Sequence, residues 1–353
     1  MQKQVILHIG MPKTGTSSLQ RAFKANAQLL RSHGIAYTTE RTQGAFAHHD
    51  LIEAVHARNT ELVDQYFERA RPSHEKAGQI LISSELMCKL GDEELQWWRE
   101  CLERHFANPQ IVVWMFVRRI SSLIPSRWHA YLRCGGRKNL PAFAFDAVEH
   151  VLSVNRFAFE GTFDRFAAVF GPACVSVVPM EVLTAGDGLV ARAFHKMLGI
   201  EGARLSEARH FNTALEPGSA ELLRALTMRC AQENAENLND FVWKMIPLLR
   251  KGDNVLSDLA RMFAPFVEQL TIEDRSEAFL QIERNAVDRL GDRLHGWGDG
   301  TVFGPEDPTP VPYVRDDYWF SEDIRQRLDE AYSAATGLPE RTQRQRKGNR
   351  LHA

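Results

Sequence analysis

His8-Ile9-Gly10-Met11-Pro12-Lys13-Thr14-Gly15-Thr16-Ser17-Ser18-Leu19-Gln20 is the stretch that decides how this chain is read. An apolar run from Gln4 to Ile9 leads into it, and an amphipathic pattern from Ser17 to Leu30 leads out. The order is strand, tight loop, helix, a setting in which loop N–H groups and a helix N-terminus together hold an anion. Gly10 and Gly15, separated by four residues, match the glycine frame of a P-loop, which then places a lysine directly after the second glycine. Thr16 stands there instead, and the loop's lysine is Lys13. The loop is built for a phosphate-like group, but the main cation of a nucleoside-triphosphate site is missing.

With 353 residues, 44% of them hydrophobic, the chain has room for one large α/β domain or two modest ones. A formal net charge of −2 gives no support for nucleic acid or an anionic membrane as the main partner. Cys88, Cys101, Cys134, Cys174 and Cys230 are scattered and never spaced as C-x-x-C, which reads as reduced packing thiols and no metal cage. The N-terminus enters a strand at once, with no apolar h-region, so no signal peptide is expected. Ile111 to Val117 is the longest conspicuous apolar run, far short of the ~20 residues of a membrane helix. A cytoplasmic protein without membrane insertion is expected.

Strand-like and helix-like segments alternate through the first half. A helix to about Ser32 is followed by a short strand over Gly34–Thr38, then helical periodicity from His48 to a break at Arg71-Pro72. Gln79–Ser83 reads as a strand, Asp92–Phe106 as a helix and Ile111–Val117 as a central strand. Ile120–Arg133 is helical, with Pro125 implying a kink or late start. Pro141–Phe170 is mainly helical, Val175–Val178 is a further strand, and Gly188–Leu198 a helix. Apolar strands separated by helices predict a parallel, doubly wound α/β sheet whose ligands gather at the carboxyl ends of the strands. Strands are expected to cease after about residue 180, with helices over Glu216–Leu238, Val255–Leu270, Ile272–Leu294 and Ser321–Thr336. The domain plan is therefore a core over 1–205, a helical portion over 206–339 that shapes the acceptor site, and a basic, frayed tail over 340–353.

A second chemical element follows the strongest strand. Arg118 stands at its carboxyl end and Ser126 eight residues on, in the next helix, so that a planar fork of donors and a hydroxyl can clamp one phosphate. Read alone, Arg118 could equally pair with a surface carboxylate.

Pro12-Lys13-Thr14-Gly15-Thr16-Ser17 resembles the 5′-phosphosulfate loop of sulfotransferases, P-K-[ST]-G-T-[ST]. Arg118 with Ser126 resembles the same family's 3′-phosphate site, and Phe163–Leu198 is similar to its F-x-x-F helix, strand and Glu181-Val-Leu segment. The resemblance covers roughly residues 4 to 200. It implies a P-loop-like three-layer core and a donor, 3′-phosphoadenosine 5′-phosphosulfate (PAPS), with adenosine 3′,5′-bisphosphate as product and no metal. Pro12, Lys13, Thr14, Gly15, Thr16, Ser17 and Ser18 would hold the 5′ end, and Arg118 and Ser126 the 3′-phosphate. Lys13 would stabilise the leaving oxygen of the sulfuryl transfer. The acceptor would be a hydroxyl or amine on a carbohydrate or small metabolite.

A base must take the acceptor's proton. Glu85, in Ser83-Ser84-Glu85 after the third strand, sits where cytosolic sulfotransferases carry their histidine base. Heparan-type members instead take a glutamate from the segment after the second strand, where this chain has His48 and His49. Both options stay open. The chain also departs from the family. Ser18 replaces the tryptophan of cytosolic members, pointing to the bacterial or Golgi-like branch, and Arg119-Ile120 lacks the usual Asp/Asn-Pro. His210-Phe211-Asn212 resembles a bacterial nucleotide-contacting segment, which makes Asn212 a candidate, and Arg250-Lys251-Gly252 is similar to a phosphate-binding tripeptide. Tyr313–Phe320 reads as a packing strap or an acceptor-site lid. The rival readings are a P-loop nucleotide kinase, against which the missing Gly-Lys-[ST] counts, and a nucleotide-binding homologue without turnover. Oligomeric state is not legible.

Overall fold

The structure, a computed structural model, describes residues 2–39, 46–154, 159–184, 188–202, 205–206, 214–233, 238–250, 255–270 and 310–336. These fall into two compact units, the first within Met1–Leu123 and His150–Phe211, the second within Ile124–Glu149, Asn212–Ser276 and Pro308–Ala353. The division does not follow the chain: 124–149 clusters with the C-terminal helices, across the boundary expected near residue 205.

The first unit is α/β. Strand β1 (Gln4–Gly10) leads to α1 (Thr16–Ala25), α2 (Ala27–Ser32) and the two-residue β2 (Ile35–Ala36). Helices α3 (His49–His56) and α4 (Thr60–Lys76) precede β3 (Gln79–Ser83), a 3₁₀ turn (Glu85–Lys89) and α5 (Asp92–His105). Strand β4 (Gln110–Val117) is followed by α6 (Ile120–Arg133), which runs into the second unit and on towards α7 (Leu140–Val154). Helix α8 (Glu160–Phe170), β5 (Val175–Pro179), α9 (Met180–Thr184) and α10 (Leu189–Arg192), continued by a π turn over Ala193–Met197, complete it.

The five strands pair in parallel in the order β2-β3-β1-β4-β5, which puts β1 at the centre. Val5, Leu7 and Ile9 on one face of β1 join a cluster with Leu51, Phe67, Trp98 and Phe166 from the helices there. Ile6, on the other face, packs with Leu19, Phe23, Leu30 and Phe194. Both faces are covered, so the strands read as continuous apolar runs rather than alternating ones. Helix α4 continues through Pro72 instead of stopping there. Its buried row Tyr66, Phe67, Ala70 and His74 crosses the proline, and that packing outweighs the hydrogen bond lost. Helix α6 likewise runs through Pro125.

The second unit contains α11 (Pro217–Gln232), α12 (Leu238–Arg250), α13 (Val255–Arg261), a 3₁₀ turn at Ala264–Phe266, β6 (Val267–Leu270), β7 (Val311–Val314), a 3₁₀ turn at Asp316–Phe320 and α14 (Glu322–Thr336). Two expectations are corrected here. Val255–Leu270 is not one helix, because Pro265 cannot extend it and the chain turns into β6; and strands do recur after residue 180, since β6 pairs antiparallel with β7. Tyr313–Phe320 is a strap: Tyr318 is buried and its hydroxyl donates to Glu221 Oε1, while Arg224 grips both oxygens of Glu221 at 2.9 and 2.6 Å and also reaches Asp316. Ile272–Leu294, Lys251-Gly252, His210-Phe211-Asn212 and the tail over 340–353 lie outside the described residues.

Three buried histidines give the fold a testable pH dependence. Burial pushes His8 and His48 down to about 3 and His74 down to about 4. The unfolded chain takes up protons below about pH 6.5 that the folded one refuses, so stability is complete above that pH and is lost as pH falls towards 4. The unfolding free energy from urea titrations should be flat from pH 8 to 7 and then fall, by on the order of 1 kcal/mol per pH unit per histidine. An unfolding free energy unchanged down to pH 5 would contradict this.

Candidate functional site

The loop between β1 and α1 is shaped by three local constraints. Met11 N–H donates to Phe116 O at 3.0 Å, fastening the loop to the end of β4. The Thr14 hydroxyl donates to Met11 O at 2.7 Å, closing a turn. Gly10 has no room for a side chain, since a Cβ there would lie 2.0 Å from Thr16 Cγ2. Gly15 takes φ 77°, a left-handed conformation that glycine adopts at no cost. Lys13 also has φ 75°, where an L-residue is strained.

At the start of α1, Gly15 O accepts from the N–H groups of Ser18 and Leu19 at 3.0 and 3.2 Å. The N–H groups of Thr16 and Ser17 have no acceptor within the helix, and they carry the positive end of its dipole. Pro12, Lys13, Gly15, Ser17 and Ser18 are half-buried, and Thr14 and Thr16 are buried. Of the two hydroxyls that the sulfotransferase resemblance assigns to the 5′-phosphate, those of Thr16 and Ser17, Ser17 is half-buried and Thr16 is buried, while the Thr14 hydroxyl is committed to the turn.

Arg118 meets the same loop: its Nη1 donates to Lys13 O at 3.1 Å. Burial pulls its pKa down from the usual arginine range, with Glu181 pulling the other way. Glu181, at the start of α9, accepts from Arg119 N–H at 2.9 Å and so fixes the backbone just after Arg118. Burial raises the Glu181 carboxyl, against that bond. Ser126 lies on α6 within the second unit, half-buried, and Asn212 lies outside the described residues.

The candidate bases separate. His48 is 3% exposed; Ser83 N–H donates to its Nδ1 at 3.1 Å, and it packs edge-on against Tyr37, so it is a neutral clamp between the start of α3 and β3. His49 and Glu85 are reachable, with side chains 36% and 26% exposed and His49 Nε2 3.8 Å from Glu85 Oε2. Ser84 Oγ accepts from Leu86 N–H at 3.2 Å and lies 2.8 Å from His49 Nδ1. Ser84 thus links the turn after β3 to the start of α3 through His49. Gln20 Nε2 donates to the same Glu85 oxygen at 3.0 Å. The structure thus brings Lys13 and Arg118 together, and Glu85 and His49 together, at the carboxyl edge of the first unit's sheet.

Gln20, Ser84, Glu181 and His8 are the residues that sequence reasoning passed over. His8 is wholly buried, with Nδ1 2.7 Å from Ser83 Oγ and its ring edge-on to Phe116. A polar residue at the core-facing position of α1, four after Thr16, was the available signal for Gln20. Among the described residues no group of three His, Cys, Asp or Glu is arranged to hold a metal ion. Comparison with protein-family models, curated proteins and solved structures found no match to this chain.

The strain at Lys13 can be measured. Lys13→Ala removes the amine but keeps the left-handed turn occupied by a side chain, whereas Lys13→Gly removes both. The glycine variant should be more stable than the alanine variant by about 1 kcal/mol in denaturant unfolding; equal stability, or the reverse order, would show that the turn is not strained.

Proposed function

We propose that this chain is a PAPS-dependent sulfotransferase acting on a hydroxyl or amine of a carbohydrate or small metabolite. The observation that carries the reading is the pairing of two centres on one sheet edge: a strained anion loop holding Lys13 and touched by Arg118, and a solvent-reachable carboxylate, Glu85, tied to the helix that leaves the loop. A loop with orphan N–H groups and a helix N-terminus, but no lysine after its second glycine, suits one phosphate bearing a sulfuryl group better than a triphosphate chain.

In the reaction so read, Glu85 accepts the proton of the acceptor O–H or N–H as the acceptor's lone pair forms the new bond to sulfur. The bond between sulfur and the bridging oxygen breaks in line, and its electron pair stays on the phosphate of the product. Lys13 and the N–H groups of Thr16 and Ser17 stand where that charge develops, and they are fixed before it appears. His49, with Nε2 3.8 Å from Glu85 Oε2, flanks the same carboxylate oxygen that Gln20 holds. Ser126 and Asn212 belong to this reading on their sequence motifs alone.

Calorimetry separates this from a kinase. Adenosine 3′,5′-bisphosphate should bind more tightly than ATP with Mg²⁺, and Arg118→Ala should weaken it about ten- to a hundred-fold, the cost of a charge-assisted phosphate contact. Preference for ATP with Mg²⁺, with Arg118 indifferent, would sink the proposal; tight bisphosphate binding without turnover on any acceptor would leave a silent homologue.

A further inference from the structure

Gln20 is fully buried on the core-facing side of α1, between the apolar anchors Leu19 and Phe23. Packing alone would be served there by an aliphatic side chain. Its amide instead donates from Nε2 to Glu85 Oε2 at 3.0 Å, while its buried Oε1 has no partner. A carboxylate only accepts, so Glu85 dictates which end of the amide faces it, and the carbonyl end goes unsatisfied as a consequence. Buried polar atoms are rarely left in that state without a use. The use is visible in the chain path. Thr16 and Ser17, which end the anion loop, lie one turn from Gln20 on the same ten-residue helix. Glu85 belongs to the segment after β3, whereas the loop follows β1.

We infer that Gln20 is a positioning residue for the Glu85 carboxylate, fixing the base to the helix that anchors the anion loop so that donor and base hold a constant separation. The inference rests on the sulfuryl-transfer reading. It adds a role for a buried amide that touches no reacting atom: Gln20 holds Oε2 of Glu85 and leaves Oε1 for the acceptor's proton.

The test uses the full chain, PAPS as donor, and p-nitrophenol or water as acceptor. Gln20→Met keeps the volume and removes the donor; Gln20→Glu keeps the shape and donates only when protonated. Gln20→Met should leave the unfolding midpoint and bisphosphate affinity unchanged while lowering kcat about ten- to a hundred-fold, part of the 10²–10⁴ that a positioned base contributes. Gln20→Glu should recover relative to Gln20→Met as pH falls, because its protonated carboxyl restores the hydrogen bond. Turnover by Gln20→Met equal to wild type, or equal losses in both variants at every pH, overturns the inference. So does a wild type that binds the bisphosphate but transfers to neither acceptor, since no base is then at work. Failure of the wild type to bind the bisphosphate at all removes the underlying reading, a result distinct from each of these.

Discussion

The register of β1 between its two neighbours is the constraint on which the site depends. Gly10 lies opposite Phe116 of β4, and His8 lies opposite Ser83 of β3. The first pairing brings the loop beside the strand end that carries Arg118. The second brings the helix after the loop beside the turn that carries Glu85. A slip of one residue would turn every side chain of β1 to the other face, sending Val5, Leu7 and Ile9 out of one apolar cluster and Ile6 out of the other. The hydrophobic effect therefore sets the register, and the register sets the chemistry.

Polar groups near this edge are placed with the same economy. His8 and His48 are buried and neutral, each holding Ser83, one by its hydroxyl and the other by its backbone. Glu181 holds the backbone after Arg118. His8, His48 and Ser83 are all buried, so together they fix the end of β3 from which the reachable Glu85 follows. In the second unit the Glu221–Arg224–Tyr318 group does comparable work for stability, fastening the strap after β7 to α11 by bonds to a carboxylate that burial would otherwise penalise.

What the sequence disclosed, and what it hid, follows from how local each feature is. The loop was legible because glycines at 10 and 15 and the apolar run before them leave marks within a dozen residues. The parallel sheet was legible because strands covered on both faces are apolar throughout. Strand β6 was not, because its four residues are mostly exposed and follow a helical pattern broken only by Pro265. The continuation of α4 past Pro72 was hidden because packing, not propensity, decides it. The partnership of Gln20 with Glu85 joins residues 65 positions apart and has no signature in either neighbourhood. Setting His48 aside needed burial: His48 and His49 are adjacent in sequence, but only His49 is reachable.

On the proposed function, the loop and Arg118 together receive a molecule with two separate phosphates. Phosphorus NMR of adenosine 3′,5′-bisphosphate tests it most directly, because the 5′ and 3′ groups give distinct resonances. The account predicts that both move on binding to the wild type. With Lys13→Ala the 5′ resonance should return towards its free position, and with Arg118→Ala the 3′ resonance should. Resonances that stay at their free positions in the presence of the wild type, or that respond identically to both substitutions, would contradict it.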